Sequence, residues 1–199
     1  MIIGKRDKMK QSIYRLLAEN TILETERLVL RPRLMSDDTS VFFLGNRPNT
    51  TRFVFPVMKT LEEAREYLAQ SMRHPLGKFA VVDKQTNQLI GLFEMMKIDE
   101  RKKSCEVMYI FDERYWNKGF ASETLSGFLT FVFETSGLKV VFAERDSENV
   151  ASGCVMEKAG MKKSGVHKRK DKVTKTIRLF VQYKITQAEW RRRYVREIG

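Results

Sequence analysis

The sequence predicts an α/β protein: a single twisted, mixed and largely antiparallel sheet of about seven strands with helices on both faces. Three observations predict it. Alternating apolar runs and stretches with apolar residues at helical spacing interleave, in the order helix, strand, two helices, three strands, helix, strand, helix, two strands, helix. The three consecutive strands are joined by short polar turns, the pattern of an antiparallel meander. A strand, glycine loop, helix and strand then follow from Cys105 to Ala143, the kind of unit that lays two strands parallel. At 199 residues the chain suffices for one full hydrophobic core and is short for two. We therefore read an N-terminal extension over residues 1–22, one domain over 23–186 and a basic C-terminal helix over 187–199.

Each element has a local cause. Between Lys8 and Ala18, Met9, Ile13, Leu16 and Leu17 share one helical face, so the extension is read as a helix docked on the body or on a partner. Thr25 to Pro32 alternates as a strand, and Pro32 ends its pairing. Ser36, Asp37 and Asp38 offer caps for a helix through Val41, Phe42 and Leu44 that stops at Gly45, and a loop with Pro48 and Pro56 follows. Thr60-Leu61-Glu62-Glu63 has capping-box form ahead of a stripe at Leu61, Ala64, Leu68 and Met72. Phe79–Asp83, Leu89–Met96 and Cys105–Phe111 make the meander, with turns over residues 84–88 and 99–103.

After a polar loop from Asp112 to Lys118, Gly119 opens a helix whose apolar face is Ala121, Leu125, Phe128, Leu129, Val132 and Phe133, closed at Ser136-Gly137. Val140–Ala143 is a buried-type strand. Asn149 caps a helix to Ala159 with Ala151, Val155 and Ala159 inward and Gly160 as its stop. Met161–Arg169 and Thr176–Ile185 pair across the basic turn at Lys170-Asp171-Lys172, and Gln187–Ile198 is a helix.

Composition narrows the function classes. No apolar run approaches the ~20 residues of a membrane span. Lys5, Arg6, Lys8 and Lys10 are not followed by an uninterrupted apolar segment, which argues against a secretory leader and for a cytoplasmic address. Cys105 and Cys154 each lie in an apolar pattern and are read as buried free thiols. With His74 and His167 the only histidines and no Cys/His cluster, the sequence argues against a structural zinc site and no metal is expected. Of the net charge of +12, +10 falls between Gly160 and Gly199, where thirteen Lys/Arg meet three Asp/Glu. A field of that sign attracts nucleic acid, a ribosomal surface, an acidic protein or a polyphosphate; a solvated face on a basic protein is the plainer alternative.

The segment from Cys105 to Glu123 carries the chemistry. The first turn of a helix leaves backbone N–H groups unpaired with the positive end of the dipole behind them, and a glycine just before it lets an anion come close. A phosphorylated ligand is the expected occupant.

Five motifs occur together: Thr25-Glu26-Arg27-Leu28-Val29-Leu30-Arg31-Pro32, Leu89-Ile90-Gly91, Tyr115 to Glu123, Asn149-Val150-Ala151-Ser152 with Glu157-Lys158-Ala159-Gly160-Met161, and Glu189-Trp190. On these the chain, from Thr25 to about Trp190, resembles the GCN5-related N-acetyltransferases (GNAT), specifically the ribosomal-protein N-terminal acetyltransferase branch of RimJ/RimL type. The resemblance implies the GNAT fold with central strands splayed at the cofactor site. It also implies acetyl-coenzyme A as co-substrate, bound by the backbone of Tyr109, Ile110 and Phe111 and by Asn117, Lys118, Gly119, Phe120 and Ala121, with Asn149 and Ser152 beside it. The wider family has Gln or Arg three residues before the loop glycine; this chain has Trp116, as the RimJ/RimL-like branch does.

An amine must lose a proton before it attacks a thioester. Glu106 matches the catalytic glutamate of the histone acetyltransferase members; its alternative is a strand carboxylate paired with a lysine. Glu94 and Glu144 are reserves. Many family members protonate the departing thiolate with a tyrosine four residues before the glycine that ends the following helix, but Met156 stands there. Ser152 matches the serine proposed for that task in the RimJ/RimL-like branch, and simple helix N-terminal hydrogen bonding is its alternative. Cys154 as an acyl carrier is disfavoured, because direct attack in a ternary complex is what the resemblance implies and no histidine lies near it in sequence.

The acceptor is expected to be a primary amine, foremost a protein N-terminal α-amine, with choice vested in Asn46 to Lys59, the two early helices and the final hairpin. Small amines (a polyamine, an amino acid, an aminoglycoside) are the alternative, and a non-catalytic RNA- or ribosome-binding module is the alternative of another class. A ribosome or RNA-rich surface is a candidate docking partner of the basic C-terminal region, beside its plainer reading as a solvated face. Monomer and homodimer both remain open, and the terminal helices could set that state.

Overall fold

The computed structural model describes residues 12–171 and 173–198, with side chains described up to residue 193. The expected helical residues Lys8 to Gln11, Met9 included, and Lys172 of the basic turn lie outside the described residues.

Seven strands are found where the alternation is, and an eighth besides. β1 (Leu23–Glu24) folds back antiparallel on β2 (Leu28–Pro32), then β3 (Lys78–Asp83), β4 (Gln88–Asp99) and β5 (Ser104–Phe111) make the meander, and β6 (Val140–Asp146), β7 (Lys162–Lys170) and β8 (Ile177–Thr186) complete the sheet. Two residues carry no period, which is why β1 is invisible in the sequence. The order is β1-β2-β3-β4-β5-β6-β8-β7, and among the described residues β5 with β6 is the one parallel pair.

The helices are α1 (Ile13–Glu19), α2 (Asp38–Gly45), α3 (Pro48–Thr51), α4 (Leu61–Met72), α5 (Phe120–Phe131), α6 (Val150–Lys158) and α7 (Gln187–Ile198). The sheet divides them. On one face Val41, Leu44, Ala64 and Leu68 of α2 and α4 pack on Leu92 and Ile110. On the other, Ile13 and Leu17, Leu125 and Phe128, Met156 and Trp190 bring α1, α5, α6 and α7 against Phe93, Val107, Val141 and Tyr183. α1 is capped by Ser12, whose hydroxyl accepts from the Tyr14 amide, and its apolar side chains belong to the same core as the strands.

Four local expectations are corrected. The loop with Pro48 contains α3, because Pro48 at the first helical position starts a single turn. In α6 the buried residues are Gly153, Met156 and Ala159, while Ala151 is exposed and Val155 only half-buried. The cause is Gly153: a Cβ there would stand 2.6 Å from Arg145 Nε and 2.9 Å from the Tyr183 hydroxyl, so the helix presses its bare backbone on the sheet. That rotation turns Cys154 outward, and it is exposed where a buried thiol was expected; Cys105 is buried as expected. The Thr60 capping box is half made, since Thr60 Oγ1 accepts from Glu63 N at 3.2 Å but the Glu63 carboxylate takes the Lys59 amide instead.

Candidate active site

β5 and β6 pair only from Ser104–Val107 to Val140–Ala143. Beyond that β5 stays paired with β4 as far as Phe111, and β6 with β8 as far as Asp146, so the two strands part company. The first turn of α6 lies at the parting: the Tyr109 hydroxyl donates to the Ser152 carbonyl at 3.1 Å and shares a second hydrogen bond, also 3.1 Å, with the Ser152 hydroxyl. Asn149 Oδ1 accepts from the Ser152 amide at 3.2 Å, which caps the helix and fixes that serine. A cleft of about 420 Å³ opens here, lined by Glu106 to Tyr109 on one wall, Glu144 to Asp146 on the other, Asn149, Ser152 and Met156 below, and Phe53 and Val54 from the α3 segment.

At the end of β5 the chain is turned by two hydrogen bonds, Arg114 N to Asp112 Oδ1 at 3.0 Å and Trp116 Nε1 to the Phe111 carbonyl at 2.7 Å. Asn117 (φ 59°) and Gly119 (φ 83°) then take left-handed conformations, and α5 starts directly after the glycine. The loop is braced from β2. Glu123 accepts from Thr25 Oγ1 (2.6 Å), Arg27 N (2.8 Å) and Arg27 Nε (2.7 Å), and Arg27 also reaches the Lys118 carbonyl (3.1 Å) and lies over the Phe120 ring. Burial alone would raise the Glu123 carboxyl, but the bonds from Thr25 and Arg27 outweigh it and hold it below its ordinary value. Two motifs distant in sequence are thus one construction.

These features fit acetyl-coenzyme A. The first-turn amides of α5 behind Gly119 suit a diphosphate, with space that a Cβ would narrow to 3.3 Å from Arg27 Nη2. The stretch of β5 from Met108 to Phe111 has no β6 partner and offers backbone groups to an extended amide chain. Of the sequence-predicted contacts, Tyr109, Ile110 and Phe111 lie on that edge, Asn117, Lys118, Gly119, Phe120 and Ala121 in the loop and first turn, and Asn149 and Ser152 across the cleft. Ile110 and Phe120 bury their side chains, so their contribution can only be backbone.

The alternation of β5 separates two kinds of group. Cys105, Val107, Tyr109 and Phe111 face α5 and α6, whereas Ile110, and with it Met108 and Glu106, face α2 and α4. A hydroxyl pair therefore stands on one side of the splay and a carboxylate on the other. Burial pushes the Tyr109 phenol well above its usual value, more than the Ser152 bond lowers it, so it stays protonated and able to donate.

Four carboxylates line the cleft, and their partners distinguish them. Asp146 is gripped by Arg178 (2.7 Å), Asp171 accepts from the Thr174 amide and hydroxyl, and Glu144 is held by Arg169 (2.6 Å) with His167 at 3.4 Å. Glu106 pairs with Lys97 at 2.8 Å, a side chain 65% exposed, while Glu106 itself is 13% exposed. The lysine pairing left open by the sequence is therefore present, but its cation is one that can swing away. Glu94 is absent from the cleft lining; it meets the buried Arg33 at 2.8 Å, among Tyr67 and Ser71.

Sequence reasoning missed the Tyr109 phenol, the Arg27–Glu123 brace and Lys97. Tyr109 alternates with Val107 and Phe111 and reads as core. Lys97 sits in a bulge, where Lys97 and Ile98 oppose Cys105 alone between the pairs Met96↔Glu106 and Asp99↔Ser104, and its φ is 48°. A side-chain-bearing residue pays about 1–2 kcal/mol for that conformation, and no pattern in the sequence announces it.

Comparison with known proteins agrees with the geometry. The sequence profile of the acetyltransferase (GNAT) domain matches residues 27–162. The uncharacterized N-acetyltransferase YnaD of Bacillus subtilis is 27% identical over 147 residues, covering 74% of this chain and 86% of YnaD. An acetyltransferase of the GNAT family from Bacillus anthracis superposes with a TM-score of 0.76 at 25% identity, over 84% of this chain and 99% of that one. At the level of fold alone, two Vibrio cholerae structures are similar. One is provisionally named a ribosomal-protein-serine acetyltransferase (TM-score 0.75, 18% identity, 84% and 98% covered). The other is a spermidine N-acetyltransferase in complex with CoA and spermine (0.70, 22%, 83% and 99%). With its splayed sheet, braced glycine loop and matching profile, the chain belongs to the GNAT family of N-acetyltransferases.

Proposed function

We propose that the protein moves an acetyl group from acetyl-coenzyme A to the α-amine of a protein N-terminus by direct attack in a ternary complex, as a member of the RimJ/RimL-like branch. The observation that carries the reading is the shared cleft: Glu106, Tyr109 and Ser152 line one cavity at the strand splay, the carboxylate on one face and the hydroxyls on the other. Glu106 takes the proton from the acceptor ammonium once Lys97 gives way. Ser152 gives a proton to the departing sulfur, and Tyr109 orients it. The backbone from Tyr109 to Phe111 and from Asn117 to Ala121 holds the acetyl donor, with Asn149 fixing the turn that presents Ser152.

The acceptor class follows from charge. Three of the four cleft carboxylates are already taken by Arg178, Arg169 and the Asp171 turn, and Lys97, Arg145 and Arg169 add cations to the same walls. The fourth, Glu106, is held only by the exposed Lys97 and suits one ammonium in that lysine's place, whereas a polyamine would bring several. An α-amine is also easier to deprotonate than a lysine amine by roughly 2.5 pK units, so a single carboxylate suffices. The RimJ/RimL-type loop with Trp116 supports the same branch. β7, exposed along nearly its whole length and carrying Lys162, Lys163, Lys168 and Lys170, supports docking on an RNA-rich particle. The test is thiol release from acetyl-coenzyme A with N-terminal peptides and with spermidine. Peptide turnover abolished by Glu106→Gln and Ser152→Ala is expected; robust turnover of spermidine alone would overturn the acceptor, and unchanged turnover in both variants the chemistry.

A further inference from the structure

We infer that Lys97 occupies the seat of the acceptor amine and is itself acetylated by the protein; this rests on Glu106 being the base. The Lys97 ammonium lies 2.8 Å from Glu106 Oε2, and its side chain lines the cleft that also holds Tyr109 and Ser152. Among the described residues it is the one primary amine in the lining, the other cations being Arg145 and Arg169. Its backbone is in the left-handed region at φ 48°, in a strand bulge directly beside the Met96↔Glu106 pair. Glycine would adopt that conformation more cheaply. What the lysine gains there is its aim: the bulge re-directs one β4 side chain onto the carboxylate.

The chemistry balances without a further reactant. The Lys97 ammonium passes one proton to Glu106, and the nitrogen lone pair attacks the acetyl carbonyl carbon of acetyl-coenzyme A. The C–N bond forms, the C–S bond breaks, and sulfur leaves with the bonding pair. The second proton lost by nitrogen ends on sulfur by way of the Ser152 hydroxyl, so the products are Nε-acetyl-lysine and the free thiol.

The full-length protein and its Glu106→Gln variant are incubated with acetyl-coenzyme A carrying a deuterated acetyl group, without acceptor and at two protein concentrations. Peptide mass spectrometry follows label on each lysine. Lys102, 82% exposed on the adjoining turn, reports purely chemical acetylation. Lys97 is expected to acquire label at least about tenfold faster than Lys102, at a rate independent of dilution. In Glu106→Gln that rate falls on the order of 100-fold while Lys102 is unaffected. Labelling of Lys97 no faster than Lys102, or a rate that rises with protein concentration, overturns the inference. Acetyl-coenzyme A binding measured calorimetrically checks that the variant is folded. Peptide acetylation run in parallel separates the two ideas: if wild type turns over peptide, Glu106→Gln does not, and Lys97 stays unlabelled, self-acetylation is wrong and the base stands. If Glu106→Gln turns over peptide normally, the base is wrong and the inference falls with it.

Discussion

Replacing Glu123 by glutamine should loosen the grip on acetyl-coenzyme A without touching the acetyl transfer itself. The carboxylate accepts three hydrogen bonds, at 2.6, 2.8 and 2.7 Å, two of them from Arg27. An amide can keep one or two but must point its NH₂ at a donor, most damagingly Arg27 Nε. A charge-assisted hydrogen bond contributes about 1.5–3 kcal/mol when desolvated. The Arg27 side chain is 43% exposed and Glu123 18%, so screening leaves about 1–2 kcal/mol. If that loss falls on the loop that Arg27 steadies through the Lys118 carbonyl, KM for acetyl-coenzyme A rises roughly 5- to 30-fold, with kcat changed less than about threefold. The wild type should add a pH signature. Glu123 is held below its ordinary value in the folded state, so its contribution is complete above the ordinary glutamate range and is lost as pH falls through the lowered value. KM should therefore climb only in acid, and in Glu123→Gln that climb should be absent. Thiol-release kinetics over a range of acetyl-coenzyme A concentrations, with urea unfolding in parallel, measure each quantity. A variant that loses stability yet keeps its KM, or one that loses kcat alone, would refute the brace.

Other outcomes follow from the same structure. In the native protein a disulfide reagent should titrate Cys154 alone, because burial, helped by the Glu106 charge, pushes the Cys105 thiol up to about 12; the second thiol should react only on unfolding. Gly91→Ala should cost at least about 2 kcal/mol in chemical denaturation, since its Cβ would meet the Ile110 carbonyl oxygen at 2.7 Å. Bonds from the Thr186 amide, then its hydroxyl, hold Glu189 down to about 2, so the stability it gives is present above the ordinary glutamate value and fades as pH falls toward 2. Glu189→Gln should be less stable near neutrality with a flatter acid limb in pH-dependent melts. If the two hydroxyls serve one proton, as proposed above, Tyr109→Phe and Ser152→Ala should each lower kcat by about tenfold or more, and the double variant hardly further.

Much of this was legible where physics is local. Glycine at 119 and 137, Thr60 and Asn149 announce helix ends because a left-handed φ or a cap is a property of a few neighbouring residues. The same holds for a signal passed over: Thr186-Gln187-Ala188-Glu189 forms a reciprocal capping box for α7, in which Thr186 Oγ1 accepts from Glu189 N at 3.2 Å and the Glu189 carboxylate from Thr186 N at 3.0 Å. The site was legible as positions along the chain and not as chemistry. Ser152 could be named as a candidate from its motif and Glu106 from its place on the strand before the loop. That Tyr109 turns its phenol onto Ser152 depends on where β5 leaves β6, and that Lys97 meets Glu106 depends on a bulge; neither leaves a period. The misread face of α6 has the same root. Ala151, Val155 and Ala159 are the apolar choice, but the close approach at Gly153 decides which side faces the sheet.

On the function proposed above, the segment carrying α3 would let acceptor choice vary while the chemistry stays fixed. Toward the glycine loop, Arg47 meets Glu113 at 3.2 Å and Asp112 at 3.5 Å, and Thr50 Oγ1 accepts from the Glu113 amide at 3.1 Å. Toward the far wall, Arg52 meets Glu148 at 2.9 Å, Glu148 also meets Arg178 at 2.8 Å, and both guanidinium groups lie against the Phe53 ring. The segment is therefore tied by polar contacts to the chain just beyond β5 and just beyond β6, while Phe53 and Val54, directly after Arg52, line the opening. Contacts of the first kind fix where the segment sits; on the function proposed above, side chains of the second kind would decide what fits beneath it. Changing Phe53 or Val54 alters the space for an acceptor and leaves Glu106, Tyr109 and Ser152, which stand on β5 and α6, where they are.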